Sequence, residues 1–358
     1  MLFRTVTFFC LLLLSIPSSW AARTVDVYAD SAILVQNAST RDQDTAVAQA
    51  LSRVLVRATG DAGAASLDRA HPLLRNASDY LSTFRFDRSD AMLTNVLGES
   101  VPTKRMVMQF DQLAIEQWLV SNRLPVWGTR RPEVLLWLGD RLEGRERILT
   151  DGDNHALAVA LNDRIAARGL PVLLPIMDLA DTLNVSFTDV YGLFTADIEI
   201  ASERYPSDAI ALGRLIEQAD GYQADMVFLM RDNRERLQVT GATEEALMQA
   251  LADQLADRIA DQYAVLLDPA MAGQLSLRVN NVDSLAALAQ VERYLETLNL
   301  VTGVTLRQVD QQSIQFDLEI SGDRNQLRDV LALDQRITPV EEATLETQLD
   351  NELVYLWQ

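Results

Sequence analysis

The sequence predicts an α/β and α+β protein in three parts. These are a small N-terminal α+β domain, a central mostly parallel three-layer sheet domain, and a C-terminal ferredoxin-like domain. Three observations carry that expectation. The chain has 358 residues, and at about 100–200 residues per domain this is two or three domains. In its middle, unbroken apolar runs alternate with helical periodicity, the pattern of βαβ crossovers and a sheet covered on both faces. Near its end the order is strand, helix, strand, strand, helix.

Composition limits the function classes. Hydrophobic residues make up 48% and charged residues 23%, enough to fill packed cores and ordinary for a folded chain. Lys+Arg number 31 against 51 Asp+Glu, a net charge of -20. Lys104 is the single lysine; every other base is arginine. A surface this negative repels phosphate backbones and anionic headgroups, so no nucleic-acid partner is expected.

Residues 1–21 read as a secretory signal peptide. Arg4 supplies the positive start, Val6 to Leu14 an apolar stretch, and Ser19 and Ala21 the small residues before a cut at Ala22. The apolar stretch is shorter than the roughly 20 residues a bilayer crossing needs. No later run is long enough either, so a periplasmic protein without a transmembrane anchor is expected. The only cysteine, Cys10, falls inside this segment. The exported chain is therefore expected to lack disulfides, thiol nucleophiles and cysteine metal sites.

The N-terminal domain, residues 22–122, opens with strands around Val25–Tyr28 and Ile33–Val35. Ser39, Thr40 and Asp42 offer helix caps. Val47, Ala50, Leu51, Val54 and Leu55 mark one face of a helix that Gly60 ends. A short helical stretch over Ala64–Leu74, a strand-like passage at Tyr80–Phe86, a strand at Arg105–Phe110 and a helix capped by Asp111 follow. Residues 123–131, with Pro125 and Gly128, read as a linker, and Trp127 in it as a packing anchor.

The central domain, residues 132–267, starts with the buried-type strand Val134–Leu138. A helix carries Leu157, Leu161 and Ile165 and stops at Gly169. Pro171–Met177 reads as a second strand, Asp178–Tyr205 as helical or irregular, and Ala209–Ala219 as a helix. Met226–Met230 and Leu237–Gly241 are further strands, and Glu244–Tyr263 a long helix. The C-terminal domain, residues 274–339, has strands at Leu275–Val279, Val301–Val309 and Ile314–Ile320. Helices lie between them and after them. Residues 340–358 form a C-terminal tail whose Leu353–Trp357 either docks as a last strand or stays loose.

The motifs that mark common chemistries are missing. There is no G-x-S-x-G, H-E-x-x-H, G-x-x-x-x-G-K-[ST] or post-strand G-x-G-x-x-G. Two histidines, His71 and His155, cannot build a three-histidine zinc site. Asp151-Gly152-Asp153-Asn154-His155 alternates oxygen ligands, but Ala156 and Asn162 stand where a calcium loop needs Gly and Glu. It reads as a turn in which Asp153 or Asn154 caps the next helix. No catalytic, cofactor-binding or metal residue is assigned, and no cofactor is expected. The connection after the second central strand is the chemically richest stretch. Asp178, Asp181, Asp189, Tyr191, Arg204 and Tyr205 are its candidates for a ligand or partner surface, because ligands of open α/β sheets bind beyond strand carboxyl ends. Arg204 and Tyr205, ahead of Pro206, are also placed to anchor the connection to the sheet.

Several blocks resemble a family. Ala46–Gly60, Arg131–Leu138, Arg168–Pro175, Ala201–Tyr205 and Gly213-Arg214, taken in order, look like the exported proteobacterial family "domain of unknown function 2066". The resemblance implies export and no particular activity. The middle segment is also similar, by element order, to sheet domains of envelope proteins such as the amino-terminal domain of the Tol-system translocation protein and the curli secretion lipoprotein. Two functions follow as expectations. One is a non-catalytic interaction or scaffold protein of the cell envelope with a protein partner. The other is a periplasmic hydrolase that uses acidic residues on cell-wall material. The small-molecule ligand, if any, is not legible.

Overall fold

The computed structural model describes residues 23–94, 98–144, 146–231, 233–267, 272–334, 336–340 and 352–358. The expected signal peptide lies outside them. In the N-terminal domain, strands β1 (Arg23–Thr24) and β2 (Ala29–Val35) precede helix α1 (Thr40–Thr59). Ser39 and Asp42 form a reciprocal capping box at its start, and Gly60, left-handed at φ 75, closes its end. Helix α2 (Ala70–Arg75), strands β3 (Leu81–Thr94) and β4 (Ser100–Phe110) and helix α3 (Gln112–Ser121) complete the domain. The sheet order is β2-β4-β3, all antiparallel. Met106, Met108 and Phe110 of β4 pack on the Val47, Leu51 and Val54 face of α1.

Strand β5 (Arg130–Arg131) in the linker pairs with β1. Strands β6 (Val134–Asp140) and β7 (Arg147–Ile148), helix α4 (Ala156–Arg168) and strand β8 (Val172–Leu173) open the central domain. Three short helices follow, α5 (Leu179–Asn184), α6 (Phe187–Tyr191) and α7 (Thr195–Ser202). Strands β9 (Ala209–Gln218), β10 (Gly221–Met230) and β11 (Asn233–Gly241) and helix α8 (Glu244–Tyr263) end it. Helices α4 and α8 cover one sheet face and α5–α7 the other, so three layers are present.

Three expectations fail here. The sheet, ordered β11-β10-β9-β6-β7 with β8 beside β6, is mixed rather than mostly parallel: only β6–β9 and β6–β8 run parallel. The cause is the segment 209–218, which is a strand and not a helix. Ala209, Ala211 and Leu215 fill one side of it, while Ile210 and Leu212 meet the other. A strand buried on both faces shows no alternation, and its Ala, Leu and Glu read as helix formers. With β9 as a strand, 209–241 becomes an antiparallel meander. Gly213 lets β9 lie against Leu138 and Met226, whose side chains would sit 3.0 Å from an added Cβ. At α4 the cap is His155 itself, whose Nδ1 accepts from the Leu157 N–H, not Asp153 or Asn154.

In the C-terminal domain strand β12 (Ala272–Asn280) leads to helix α9 (Leu285–Glu296), strands β13 (Val301–Val309) and β14 (Ser313–Ser321) and helix α10 (Arg324–Leu331). Strands β15 (Ile337–Pro339) and β16 (Glu352–Trp357) finish the fold. The order β13-β14-β12-β16-β15 keeps the ferredoxin-like arrangement over its first three strands. Beyond β12 it departs. β15 has the direction a ferredoxin-like fourth strand requires, but β16, parallel to β12, is inserted between them. The expected tail is thus not separate from the domain: Leu353, Tyr355 and Trp357 are core residues, and Trp357 packs on Tyr294 with ring centroids 5.8 Å apart.

The domains are fastened by buried polar joints. The linker meets the end of the central domain where Val126 and Val265 exchange backbone hydrogen bonds of 2.8 and 3.0 Å. Arg131, fully buried, donates to five carbonyls: Gly128 at 3.0 Å, Arg168 at 3.2 Å, Gly169 at 2.7 Å, Arg57 at 2.5 Å and Trp127 at 3.2 Å. Its guanidinium lies 3.8 Å from the Trp127 ring centre, so Trp127 is the packing anchor expected. Arg168 ties the Gly60 carbonyl at 2.6 Å to Asp253 and Asp257 of α8, each at 2.6 Å.

At the second joint Asp334, buried, accepts from Arg336 and from Arg130 of the linker, and both cations lie over Tyr294. Burial pushes the Asp334 carboxyl up, and the Arg336 hydrogen bonds and Arg130 charge more than offset this, so it sits below its ordinary value. A carboxyl lowered in the folded state contributes stability that is complete above the unfolded value of about 3.9 and is lost as pH falls through the folded one. The melting temperature of the wild-type protein is therefore expected to fall as the pH drops below about 4. That of Asp334→Asn should start lower and fall less over the same window; parallel profiles would exclude this joint as an acid-sensitive element.

Candidate functional site

The connection from Asp178 to Tyr205 lies flat on the sheet rather than beyond its strand ends. Val185, Val190, Ile198, Ala201 and Tyr205 cover Leu135 and Trp137 of β6 and Leu212 of β9. The Trp137 indole N–H donates to Ser202 at 3.0 Å, and the Trp137 and Tyr205 rings meet edge to face.

Four of the six candidate residues come together. The chain leaves the sheet through Met177, held at φ 54, and Asp178 caps α5 by accepting from the Asp181 N–H at 3.0 Å. Arg204 forks onto Asp178 at 2.6 and 2.7 Å and reaches Asp181 at 2.9 Å. The Asp181 side chain is wholly buried. It also accepts from the Met177 N–H at 2.9 Å and from the Tyr205 hydroxyl, which in turn accepts from the Ile176 N–H at 3.0 Å. Arg204 holds the Asp178 carboxyl well below the usual range. Burial and the Asp181 hydrogen bond push the Tyr205 hydroxyl up to about 12. Each of the four side chains is engaged by a neighbour. Tyr205 is buried against Trp137 of the sheet, whereas Arg204 is exposed and binds Asp178 and Asp181 within the connection itself.

Asp189 and Tyr191 stand apart from that cluster. Asp189 forms a capping box with Ser186 at the start of α6, and the Ser186 hydrogen bonds lower its carboxyl. Tyr191 stacks on Phe187 at 5.2 Å and receives the Arg141 guanidinium at 4.3 Å. Replacing Asp181 by Ala leaves the Met177 N–H and two other donors facing a void. The expected loss is about 3 kcal/mol, the usual cost of breaking a buried charged network. The checks are a lower melting temperature and early proteolysis between residues 176 and 205.

Sequence reasoning missed the outer face of this layer. Leu179 and Leu183, one turn apart on α5, are 74% and 76% exposed, and Ile200 on the adjoining α7 is 67% exposed. The signal for it was the i, i+4 spacing of Leu179 and Leu183 in a helix too short to be buried all round. A second missed feature is a pocket of about 530 Å³ at the start of β9, lined by Glu199, Glu203, Tyr205, Asp208, Arg231 and Arg234. Surrounding protein and the Glu133 charge push the Asp208 carboxyl up, while its bond from the Glu133 N–H and Arg231 pull it down, leaving it raised. Among the described residues no group of three or more His, Cys, Asp and Glu is arranged to hold a metal, and no helix is long and apolar enough to cross a membrane.

The strand and helix pattern of residues 274–358, β16 included, is the span matched by the DUF2066 family model. This carboxy-terminal stretch is similar to the DUF2066 family. None of the sequence blocks quoted for that resemblance lies within the matched span. Ala46–Gly60 falls instead within residues 21–128, which match a second model, described as a domain of unknown function, DUF8605. The DUF2066 match takes in the last strand, in keeping with the buried places of Leu353, Tyr355 and Trp357. No curated protein matches the chain. One solved structure, the crystal structure of TolB from Acinetobacter baumannii, is similar over 43% of this chain at 11% identity, with a TM-score of 0.21. The similarity spans 33% of that structure's own length.

Proposed function

We propose that the chain is an exported periplasmic protein of the bacterial envelope, led by the signal peptide of residues 1–21, that works by docking a protein partner and not by catalysis. The observation that carries the reading is the outward apolar face of Leu179, Leu183 and Ile200. Exposed large apolar side chains gathered on neighbouring helices are unfavourable in water unless something covers them. Asp178, Asp181, Arg204 and Tyr205 support it in a positioning role: they pin α5 and α7 to the sheet so that this face is rigid before a partner arrives.

A photo-cross-linker placed at Leu183 in the native cells is the test. A single abundant envelope protein joined there, and lost with Ile200→Asp at unchanged melting temperature, is the expected result. Joining to nothing would overturn it.

The Asp208 pocket keeps the hydrolase reading as a second one, since a raised carboxyl in a pocket also lined by Glu199 and Glu203 is a group that acid catalysis can use. Under that reading Asp208→Asn abolishes the cellular phenotype while leaving the Leu183 cross-link intact; under the docking reading it leaves both intact.

A further inference from the structure

Strand β3 is the longest strand described, from Leu81 to Thr94, and among the described residues its only strand partner is β4. Its other edge is bare, a feature that folded proteins seldom leave on a long strand. Phe84 and Phe86 lie opposite Met108 and Met106 and so share the sheet face that α1 covers elsewhere. They are nevertheless 52% and 42% exposed. The two rings meet edge to face at 5.7 Å, and Lys104 Nζ lies 4.3 Å from the Phe86 centre.

We infer that this edge pairs with the same edge of a second copy, antiparallel and about a two-fold axis at Phe86. The register follows from the strand itself. Irregularities at Leu81/Thr83 and Arg88/Met92 confine the regular run to Thr83–Arg88. Residues opposed across an antiparallel pair must share a face, so the axis passes through a residue. An axis at Arg85, Asp87 or Arg88 sets a charge against its own copy. An axis at Phe84 runs the pairing into the irregularity at Ser82. The axis at Phe86 sets Arg85 against Asp87 of the second copy twice, and Phe84 against Arg88 twice, all favourable cross-strand pairs. It also gathers four phenylalanines in the gap between the two helix layers. The result is one six-stranded sheet, β2-β4-β3 continued by its symmetry mate, with a self-complementary contact of the closed kind common in homodimers.

The experiment uses the protein carrying Cys10→Ser, which has no other thiol. Sedimentation velocity is expected to show a concentration-dependent dimer. Phe86→Cys is expected to form a disulfide dimer on mild oxidation, because residues on the axis approach within disulfide range. Thr83→Cys, roughly 20 Å from its copy at about 3.3 Å per residue, should not. Arg85→Asp and Asp87→Arg should each weaken association about 10-fold, and the double exchange should restore it. Arg85 and Asp87 also pair within one chain at 3.1 Å, so monomer melting is measured for each variant, and the double exchange, which keeps that pair, is the decisive one. A monomer at all concentrations, a dimer indifferent to these exchanges, or equal cross-linking at residues 83 and 86 would each overturn the inference. The Leu183 cross-link is on another domain and is unaffected by any of these results.

Discussion

Arg131→Met is expected to lower stability by about 5 kcal/mol, the largest effect of any single exchange in this protein. The reason is arithmetic. A guanidinium has five N–H donors, and here each is spent on a carbonyl. Two of those carbonyls, of Arg57 and Arg168, belong to the last turns of α1 and α4, where the helix dipoles concentrate negative charge. Burial, opposed by Tyr28 and aided by the Arg57 and Arg168 charges, pushes the Arg131 guanidinium down to about 9. The five oxygens and two helix ends keep it charged at neutral pH. Methionine fills much of the volume and leaves five buried acceptors unmet, each costing about 1–3 kcal/mol before relaxation and water entry. Lysine, with three donors on one nitrogen, should recover less than half. A calorimetric scan is the check: roughly 10–20 °C off the melting temperature, at about 2–4 °C per kcal/mol, with the N-terminal and central domains melting separately. A shift under 2 °C would mean that the joint is not what holds the two domains together.

Gly60→Val is expected to cost about 4 kcal/mol at the same joint by a different route. Gly60 is left-handed, where a branched side chain is strained by about 1–2 kcal/mol. A Cβ at this position would sit 2.4 Å from Ala260 Cβ and 3.0 Å from the Trp127 ring. Either α1 must withdraw from α8, or the Gly60 carbonyl must leave Arg168; overpacking of this kind adds about 1–3 kcal/mol. The two contributions separate in a cycle. Ala260→Gly should recover part of the loss in Gly60→Ala, because it removes the clash and not the strain. Strict additivity of the two exchanges would place the whole cost in the backbone.

The elements read well from sequence are those whose signals are local. Ser39, Asp42 and Gly60 bound α1 within a few residues of the expected ends, and the four-residue leucine spacing of α8 left no alternative. The strand at 209–218 was lost because its neighbours cover both faces, so burial erased the alternation that identifies strands. The place of β16 was lost because nothing in Glu352–Trp357 says which edge it will enter; β12, about seventy residues earlier, decides that. In the candidate site, Asp178, Asp181, Arg204 and Tyr205 were legible as a group since they flank one connection. Asp189 and Tyr191 were placed with them by proximity in sequence, yet face Ser186, Phe187 and Arg141. The Arg57, Arg131 and Arg168 joint was missed outright. Its trace is that Arg57 and Arg168 each stand in the last turn before a helix-ending glycine, where backbone carbonyls are left without a helical partner.

The insertion of β16 also sets a calendar for the chain. The C-terminal sheet cannot be assembled in the order in which its strands emerge. β12, β13 and β14 can pair early, and β15 can arrive, but β12 must keep one edge vacant until residues 352–357 appear, since β16 has to enter between strands made before it. A chain threaded through a membrane from its N-terminus would hold this domain open until its final stretch had crossed. For that interval the unfinished edge of β12 is a grip for a chaperone or a protease, and β16 acts as the latch that withdraws it.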